Sequence, residues 1–139
     1  MDPSDTASKI YSEAVVVDGL NVSNWESPAV FDSLNAGGVT AINATIAVWE
    51  GYAEAMDNVA AWIRRFGERE ANLSQVTGVQ DILDAKRSGK TGVILGWQNA
   101  SPIENDLDRL DLFYRLGVRV IQLTYNERNL LGNGCWERN

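Results

Sequence analysis

The sequence predicts an α/β fold in which about four parallel strands alternate with helices. Short apolar runs rich in β-branched residues recur along the 139 residues, and such runs are typical of buried strands. Between them, apolar residues recur at three- and four-residue steps, which is the helical period. Strands separated by helices form parallel sheets through right-handed crossovers.

Four strands are predicted, and each ends in polar or aromatic residues. They cover residues 14–17, 39–49, 91–95 and 118–124. The first ends at Asp18 and Gly19. Since parallel α/β proteins carry their functional groups at the carboxyl ends of strands, we expect residues 18–22, 49–50, 97–99 and 125–129 to line one pocket.

Helices are predicted over four segments between these strands. The first begins with Ser27 as N-cap and Pro28 at the first helical position, and ends at Gly37–Gly38. The others cover residues 52–70, 79–88 and 104–116. Residues expected to face the core are Val30, Phe31, Leu34, Ala55, Val59, Trp62, Ile63, Phe66, Leu107, Leu110, Phe113 and Tyr114. Residues expected in solvent are Arg64, Arg65, Glu68 and Arg69. The segment 125–139 is predicted to be a loop, with a turn at Asn133–Gly134.

Composition excludes several classes of function. The net charge is −7, and no basic cluster exists to bind nucleic acid or an anionic membrane. No histidine is present, so His-based triads and His-based metal sites cannot form within this chain. The lone Cys135 permits no internal disulfide, and the N-terminus lacks an apolar signal segment, so we expect a cytoplasmic protein.

The predicted domain is a partial one. Four strand–helix units do not close a barrel, and an apolar edge strand would be left open. We therefore interpret residues 1–139 as the N-terminal half of a (β/α)8 TIM barrel with an N-terminal extension over 1–12; the alternative is an open four-stranded domain. The remaining half of the barrel, or another chain, is expected to cover the open edge.

Three stretches resemble one known family. They are VVVDGLNV, GKTGVILGWQN and, most specifically, LDLFYRLGVRVIQLTYNERNLLGNGCWE. Together they make the chain similar to the N-terminal half of the membrane dipeptidase (renal dipeptidase, peptidase M19) family. That resemblance implies a metal-dependent TIM-barrel hydrolase that cleaves dipeptides.

The resemblance also shows where this chain departs from the family. The family's first strand ends in Asp-Gly-His-Asn-Asp, and its His and second Asp bind zinc; here those positions are Leu20 and Val22, which cannot ligate. A bridging Glu is replaced by Gln98, a weak candidate ligand. A substrate-binding His is replaced by Tyr125. The resemblance then implies at most one zinc or other divalent metal, with ligands mainly from the second half.

The candidate catalytic residues are Asp18, Gln98 and Tyr125. Asp18 is either a ligand or base, or a cap for its own turn. Tyr125 either donates its phenol to a substrate oxygen or holds a loop. The candidate substrate-binding residues are Asn21, Trp25, Trp49, Asn99 and Asn126. Trp25, Trp49 and Trp97 either form one aromatic pocket or pack in the core.

Two functions from different classes fit these features. The first is a divergent dipeptidase-like hydrolase that acts on dipeptides or small amides with a metal-activated water. The second is a non-catalytic barrel that binds a small molecule or serves as a scaffold, in either case with a homo-oligomer as a candidate assembly.

Overall fold

Five parallel strands form one sheet in the computed structural model, which describes residues 3–137 of the chain. The strands are β1 (Val17–Asn21), β2 (Ala41–Ala47), β3 (Leu73–Gln75), β4 (Thr91–Trp97) and β5 (Val118–Ile121). The helices are α1 (Pro3–Glu13), α2 (Pro28–Ala36), α3 (Tyr52–Glu68), α4 (Val79–Ser88) and α5 (Asp108–Arg115), with a 3₁₀ helix at Ser101–Ile103.

The sheet follows the order β1-β2-β4, and two strands share the far edge of β4. β3 pairs with the start of β4, from Thr91 to Val93, whereas β5 pairs with its end, from Leu95 to Trp97. Within residues 3–137, β1 pairs only with β2 and β5 only with β4. The sheet therefore has strand edges that no described strand covers.

The core lies between the sheet and its helices. Its largest fully buried side chains include Trp62 of α3, Trp97 of β4 and Phe113 of α5. Trp97 and Phe113 pack edge to face with their ring centroids 4.6 Å apart. Burial of large apolar side chains of this kind contributes about 1.5–3 kcal/mol each, so α3 and α5 are fixed on the sheet largely by these rings.

Two helices match their predicted bounds closely. α2 starts at Pro28 after an extended Ser27 and ends at Gly37, although the Ser27 side chain makes no capping hydrogen bond. α4 covers the predicted residues 79–88 and ends at Gly89, whose φ of 68° lies in the left-handed region that glycine favours.

The first strand was predicted too early. β1 continues through Asp18 and Gly19 to Asn21, because it pairs with β2 as far as Ala44 through a register shift. The short β3 was not predicted at all, since three residues carry no periodic signal.

The helix predicted over residues 104–116 is also corrected. Glu104 has a φ of 52°, which interrupts the helical path, and α5 begins only at Asp108. The Asp106 carboxylate accepts a hydrogen bond from the Asp108 N–H at 3.1 Å. Of the four residues expected in the core, Phe113 is buried, whereas Leu107, Leu110 and Tyr114 are exposed.

The faces of α3 differ from the prediction at two positions. Ile63 was expected in the core but is 50% exposed. Arg65 was expected in solvent but is buried, because its guanidinium lies over the Trp62 ring and pairs with the Glu26 carboxylate. The remaining expected core residues of this helix are buried or half-buried: Ala55, Val59, Trp62 and Phe66.

The unpredicted helix α1 covers most of the N-terminal extension expected over residues 1–12 and ends one residue beyond it, at Glu13. Its Tyr11 hydroxyl donates a hydrogen bond to the carbonyl oxygen of Gly37 at 2.7 Å. The Tyr11 ring also lies against Gly38, close enough that a Cβ at position 38 would be 3.3 Å from it. α1 is thus attached to the end of α2.

Candidate functional site

The carboxyl end of β1 holds a small hydrogen-bonded turn. The Asp18 carboxylate accepts one hydrogen bond from the Leu20 N–H at 3.1 Å and another from the Asn21 side-chain amide at 2.8 Å. The Asn21 side-chain oxygen accepts from the Ser23 N–H at 3.0 Å. Asp18 therefore caps its own turn, which is one of the two roles that its position allows.

Gln98 lies at the end of β4 and is bonded to the neighbouring strand. Its side-chain amide donates to the Thr45 hydroxyl of β2 at 3.0 Å, and its backbone N–H donates to the Ala47 carbonyl at 2.9 Å. The residue is only 7% exposed. Gln98 is thus held in a fixed position between the ends of β2 and β4, and the group that it presents there is a neutral amide.

Trp49 and Tyr125 bring the ends of β2 and β5 together. Their ring centroids lie 5.3 Å apart in an edge-to-face arrangement, and Trp49 is 54% exposed. An exposed indole beside a phenol offers an apolar surface with one hydroxyl donor. These two predicted site residues are in direct contact.

The three tryptophans do not form one aromatic pocket. Trp25 packs with Phe31 and Trp62 on the helix side of the sheet, with centroid distances of 6.1 and 5.1 Å. Trp97 is buried in the core. Trp97 therefore packs in the core, which was one of the two alternatives, whereas Trp49 contacts Tyr125.

Asn99 ties the C-terminal loop to β4. Its side-chain oxygen accepts a hydrogen bond of 2.7 Å from the Asn129 amide, which also donates to the Leu123 carbonyl at 2.6 Å. The Asn129 oxygen accepts from the backbone N–H groups of Leu131 and Gly132. Sequence reasoning placed Asn129 at a strand end but gave it no role, and the only signal for one was its amide side chain.

Asn126 is engaged within the same loop. Its side-chain oxygen accepts from the Cys135 thiol at 3.0 Å, and its backbone carbonyl accepts from the Trp136 N–H at 3.0 Å. At Gly134 a Cβ would approach the Asn126 carbonyl carbon to 2.3 Å. Glycine at position 134 is therefore required by this close backbone approach, in addition to any turn.

The side chains at these strand ends do not form a metal site among themselves. Within residues 3–137, no group of three or more His, Cys, Asp or Glu side chains is placed to hold a metal ion. Leu20 and Val22 are 53% and 65% exposed at the end of β1, and neither carries a ligand atom. Gln98 contributes at most a neutral carbonyl oxygen.

A charged cluster lies just beyond the end of β4. Glu104 follows the 3₁₀ helix, and the hydrogen bond from the Arg109 guanidinium, with a second from the Tyr52 N–H, lowers the pKa of its carboxyl below the ordinary value of 4.5. Glu104 also borders a cavity of about 440 Å³ with Arg128 and Asn129. The lowered pKa keeps the Glu104 carboxylate ionised beside the Arg109 guanidinium.

No helix within residues 3–137 combines the length and the apolar character that crossing a membrane requires.

Comparison with known proteins decides the family. The model of the membrane dipeptidase family, peptidase family M19, matches residues 5–139. The chain belongs to the membrane dipeptidase family. The match extends over nearly the whole chain and confirms the resemblance that the three sequence stretches predicted.

Solved structures of similar proteins confirm the fold of this M19 chain. An amidohydrolase from Pseudomonas aeruginosa superimposes with a TM-score of 0.92 and 35% identity, over 94% of this chain and 40% of that one. The probable dipeptidase PvdM from the same organism gives a TM-score of 0.80 at 13% identity, over 92% and 40%. A metallopeptidase from Rhodobacter sphaeroides, liganded with a phosphinate mimic of the dipeptide L-Ala-D-Ala, gives 0.65 at 16%, over 82% and 46%.

The M19 chain spans less than half the length of each of these structures. Its parallel sheet with alternating helices corresponds to the N-terminal part of a TIM barrel, as predicted. In a TIM barrel, successive strands lie side by side, which explains the order β1, β2, β4, β5 across this sheet. The short β3 is an additional strand that pairs with the start of β4.

Proposed function

We propose that the protein carrying this chain is a divergent dipeptidase-like hydrolase that acts on dipeptides or small amides. Membership of the M19 family is the observation that carries the proposal. The bound dipeptide mimic in the Rhodobacter sphaeroides neighbour makes L-Ala-D-Ala the first substrate to assay.

The chain's contribution to this chemistry is a set of fixed hydrogen-bonding groups. The Tyr125 hydroxyl, beside the exposed Trp49 ring, is the donor best placed to bind a substrate oxygen. Gln98 and Asn99 are less than 10% exposed and held by neighbouring side chains. Donors that are already oriented before substrate arrives lose little freedom on binding, which favours positioning of an amide.

Divergence of the metal site is the second part of the proposal. Leu20, Val22 and Gln98 stand where the resemblance places two zinc ligands and a bridging carboxylate. A site with one zinc or other divalent ion, held mainly by residues outside this chain, is the arrangement that these substitutions leave open.

A non-catalytic role is the alternative, and the same substitutions favour it. A barrel that has lost its ligands can still bind a small molecule between the Trp49–Tyr125 pair and the Asn99–Asn129 pair. Turnover of L-Ala-D-Ala separates the two functions, because only the hydrolase releases free alanine.

Further strands are proposed to cover the open sheet edges. Val17 and Leu20 of β1 are about half exposed, at 47% and 53%, and Val120 of β5 is 39% exposed. Apolar strand edges of this kind attract further strands. We propose the second half of the barrel as the main partner, with a homo-oligomer or another chain as alternatives, and a cytoplasmic location.

The metal content of the natively purified protein tests the divergence. Elemental mass spectrometry is expected to find no more than about one zinc per chain, since two ligand positions are apolar. The triple variant Leu20→His, Val22→Asp and Gln98→Glu is expected to bind about one more equivalent, because these are ordinary zinc ligands.

The control introduces the same kinds of ligand elsewhere. Ile10→His combined with Val79→Asp places them at two exposed positions on the helices α1 and α4, 63% and 75% accessible. About two zinc ions in the natural protein, or an equal gain in the control, would overturn the proposed divergence. Release of alanine at the rate of the reaction without enzyme would overturn the hydrolase in favour of the binding function.

A further inference from the structure

A cavity of about 350 Å³ lies between the sheet and α3, and Val48 and Glu50, on either side of Trp49 in the chain, are among its lining residues. Its walls are the loop after β1, the end of β2 and one face of α3. Trp25 and Trp62 give it an apolar wall, and their ring centroids are 5.1 Å apart. Three charged side chains also line it: Glu26, Glu50 and Arg65. Its volume suits a small ligand.

Arg65 is a buried cation with a single acceptor. Its side chain is 10% exposed, and its guanidinium lies 5.4 Å from the centroid of the Trp62 ring. Within residues 3–137, the Glu26 carboxylate is the only acceptor that this guanidinium has. A guanidinium offers five N–H donors in a fork that matches a carboxylate, so most of its capacity is left for a second group.

Glu26 is the exposed member of this ion pair. Its side chain is 81% exposed and lies in the loop before α2, whereas Arg65 is fixed by the helix and by the Trp62 ring. An exposed carboxylate gains little from such a pair. A ligand carboxylate can therefore replace Glu26 on Arg65 without movement of α3.

The charges in the cavity disfavour a simple anion. Glu26 and Glu50 contribute two negative charges against the one positive charge of Arg65. Oε2 of Glu50 accepts the backbone N–H groups of Val48 and Trp49, at 2.6 and 2.9 Å, which holds this carboxylate at the cavity wall. A ligand that brings both an ammonium group and a carboxylate satisfies all three charged residues.

We propose that this cavity binds a free α-amino acid with an apolar side chain. The ligand carboxylate pairs with Arg65, the ammonium group is received by the displaced Glu26 and by Glu50, and the side chain lies against Trp25 and Trp62. The inference does not depend on the hydrolase proposal, because binding is measured without turnover.

Three probes separate the contributions of the two charges. L-Phenylalanine carries both groups, 3-phenylpropionate lacks the ammonium group, and 2-phenylethylamine lacks the carboxylate. Isothermal titration calorimetry on the natively purified protein is expected to show L-phenylalanine binding at least about fivefold more tightly than either of the other two, since it alone makes both charge-assisted contacts.

Three variants test the assigned residues. Arg65→Met is expected to weaken L-phenylalanine by at least about tenfold, through loss of a charged hydrogen-bond partner. Arg64→Met removes the same charge from the adjacent, exposed position on α3 and is expected to leave binding unchanged. Glu26→Gln is expected to tighten 3-phenylpropionate by about two- to fivefold, because the competing carboxylate is gone, and to weaken 2-phenylethylamine.

Several results would overturn the proposal. They are no heat of binding with L-phenylalanine, equal binding of 2-phenylethylamine, and equal losses in the Arg64 and Arg65 variants. Arg65→Met changes a buried side chain, so this variant could fail to fold. In that case Glu26→Gln provides the test, because Glu26 is exposed and the substitution is tolerated there. Unchanged 3-phenylpropionate affinity in Glu26→Gln would then refute the exchange at Arg65.

Discussion

The carboxylate of Glu104 accepts a hydrogen bond of 3.2 Å from the backbone N–H of Tyr52, the first residue of α3. The same carboxylate accepts the Arg109 guanidinium at 2.5 Å, and that guanidinium lies 4.1 Å from the centroid of the Tyr52 ring. Glu104, whose φ is positive, thus supplies an acceptor for the Tyr52 N–H group. N–H groups in the first turn of a helix have no acceptor within the helix itself. The geometry links the segment after β4 to the start of α3.

Acidification should weaken this link. The Arg109 and Tyr52 contacts lower the pKa of Glu104, so their stabilisation is complete above the unfolded value near 4.5 and is lost as the pH falls through the lower folded value. In Glu104→Gln, the melting temperature should therefore depend less on pH below the unfolded-state pKa of Glu104. Glu70→Gln removes a carboxylate at an exposed position and is the matched control; identical profiles for both variants would contradict the prediction.

Asp81 should stabilise the start of α4. Its Oδ2 accepts the backbone N–H groups of Thr77 and Gly78, at 2.7 and 2.9 Å, and the Thr77 hydroxyl at 2.9 Å. Asp81→Ala should lower the free energy of unfolding by about 1 kcal/mol, as loss of a helix cap usually does. Urea denaturation measures the change, and Asp57→Ala in the exposed middle of α3 is the control that should show no comparable loss.

Gly117 should not tolerate a side chain. Its φ is 104°, and a Cβ would lie 1.9 Å from the Gln75 side-chain nitrogen, which donates to the Leu116 carbonyl. Gly117→Ala should cost about 1–3 kcal/mol of unfolding free energy from backbone strain alone. The opposite sign is expected for Gly67→Ala within α3, where a Cβ meets open space, with a gain of about 0.5–1 kcal/mol. Equal effects at the two glycines would refute this reasoning.

Tyr125 should affect turnover without affecting stability. Tyr125→Phe keeps the ring beside Trp49 but removes the phenolic hydroxyl. If this hydroxyl binds a substrate oxygen during the reaction, kcat/KM for L-Ala-D-Ala should fall by about 10²-fold or more, as with other oxyanion donors. The melting temperature should stay the same. Tyr114→Phe, at a position 59% exposed on α5, should change neither quantity; a full rate in Tyr125→Phe would remove the hydroxyl from the mechanism.

Features coded by neighbouring residues could be predicted from the sequence. Pro28 and Gly89 mark a helix start and a helix end through local backbone preferences, and α2 and α4 begin or end at these residues. The parallel arrangement also followed from the alternation of strands and helices, which the TIM-barrel relatives confirm.

Features that depend on distant partners could not be predicted in this way. The burial of Arg65 depends on Glu26, which is 39 residues away, and a pattern of helical spacing treats any arginine as exposed. The end of β1 depends on its pairing with β2. The interruption at Glu104 depends on contacts with α3, 52 residues earlier.

The candidate site likewise has features that the local sequence predicts and features that depend on distant residues. Strand-end positions were predicted from local patterns, and the Trp49–Tyr125 contact lies at two of them. The individual bonds were not predictable, because Gln98 meets Thr45 across 53 residues and Asn99 meets Asn129 across 30. Roles of single residues in the reaction stay predictions.

The Asn99–Asn129 contact has a consequence for the conditions under which the C-terminal loop stays attached. Both partners are uncharged amides, and the further bonds of Asn129 go to backbone groups at Leu123, Leu131 and Gly132. Hydrogen bonds between neutral groups do not titrate and are only weakly screened by dissolved ions. The loop should therefore keep its anchorage in acid and in concentrated salt, where the charged contact between Glu104 and Arg109 weakens.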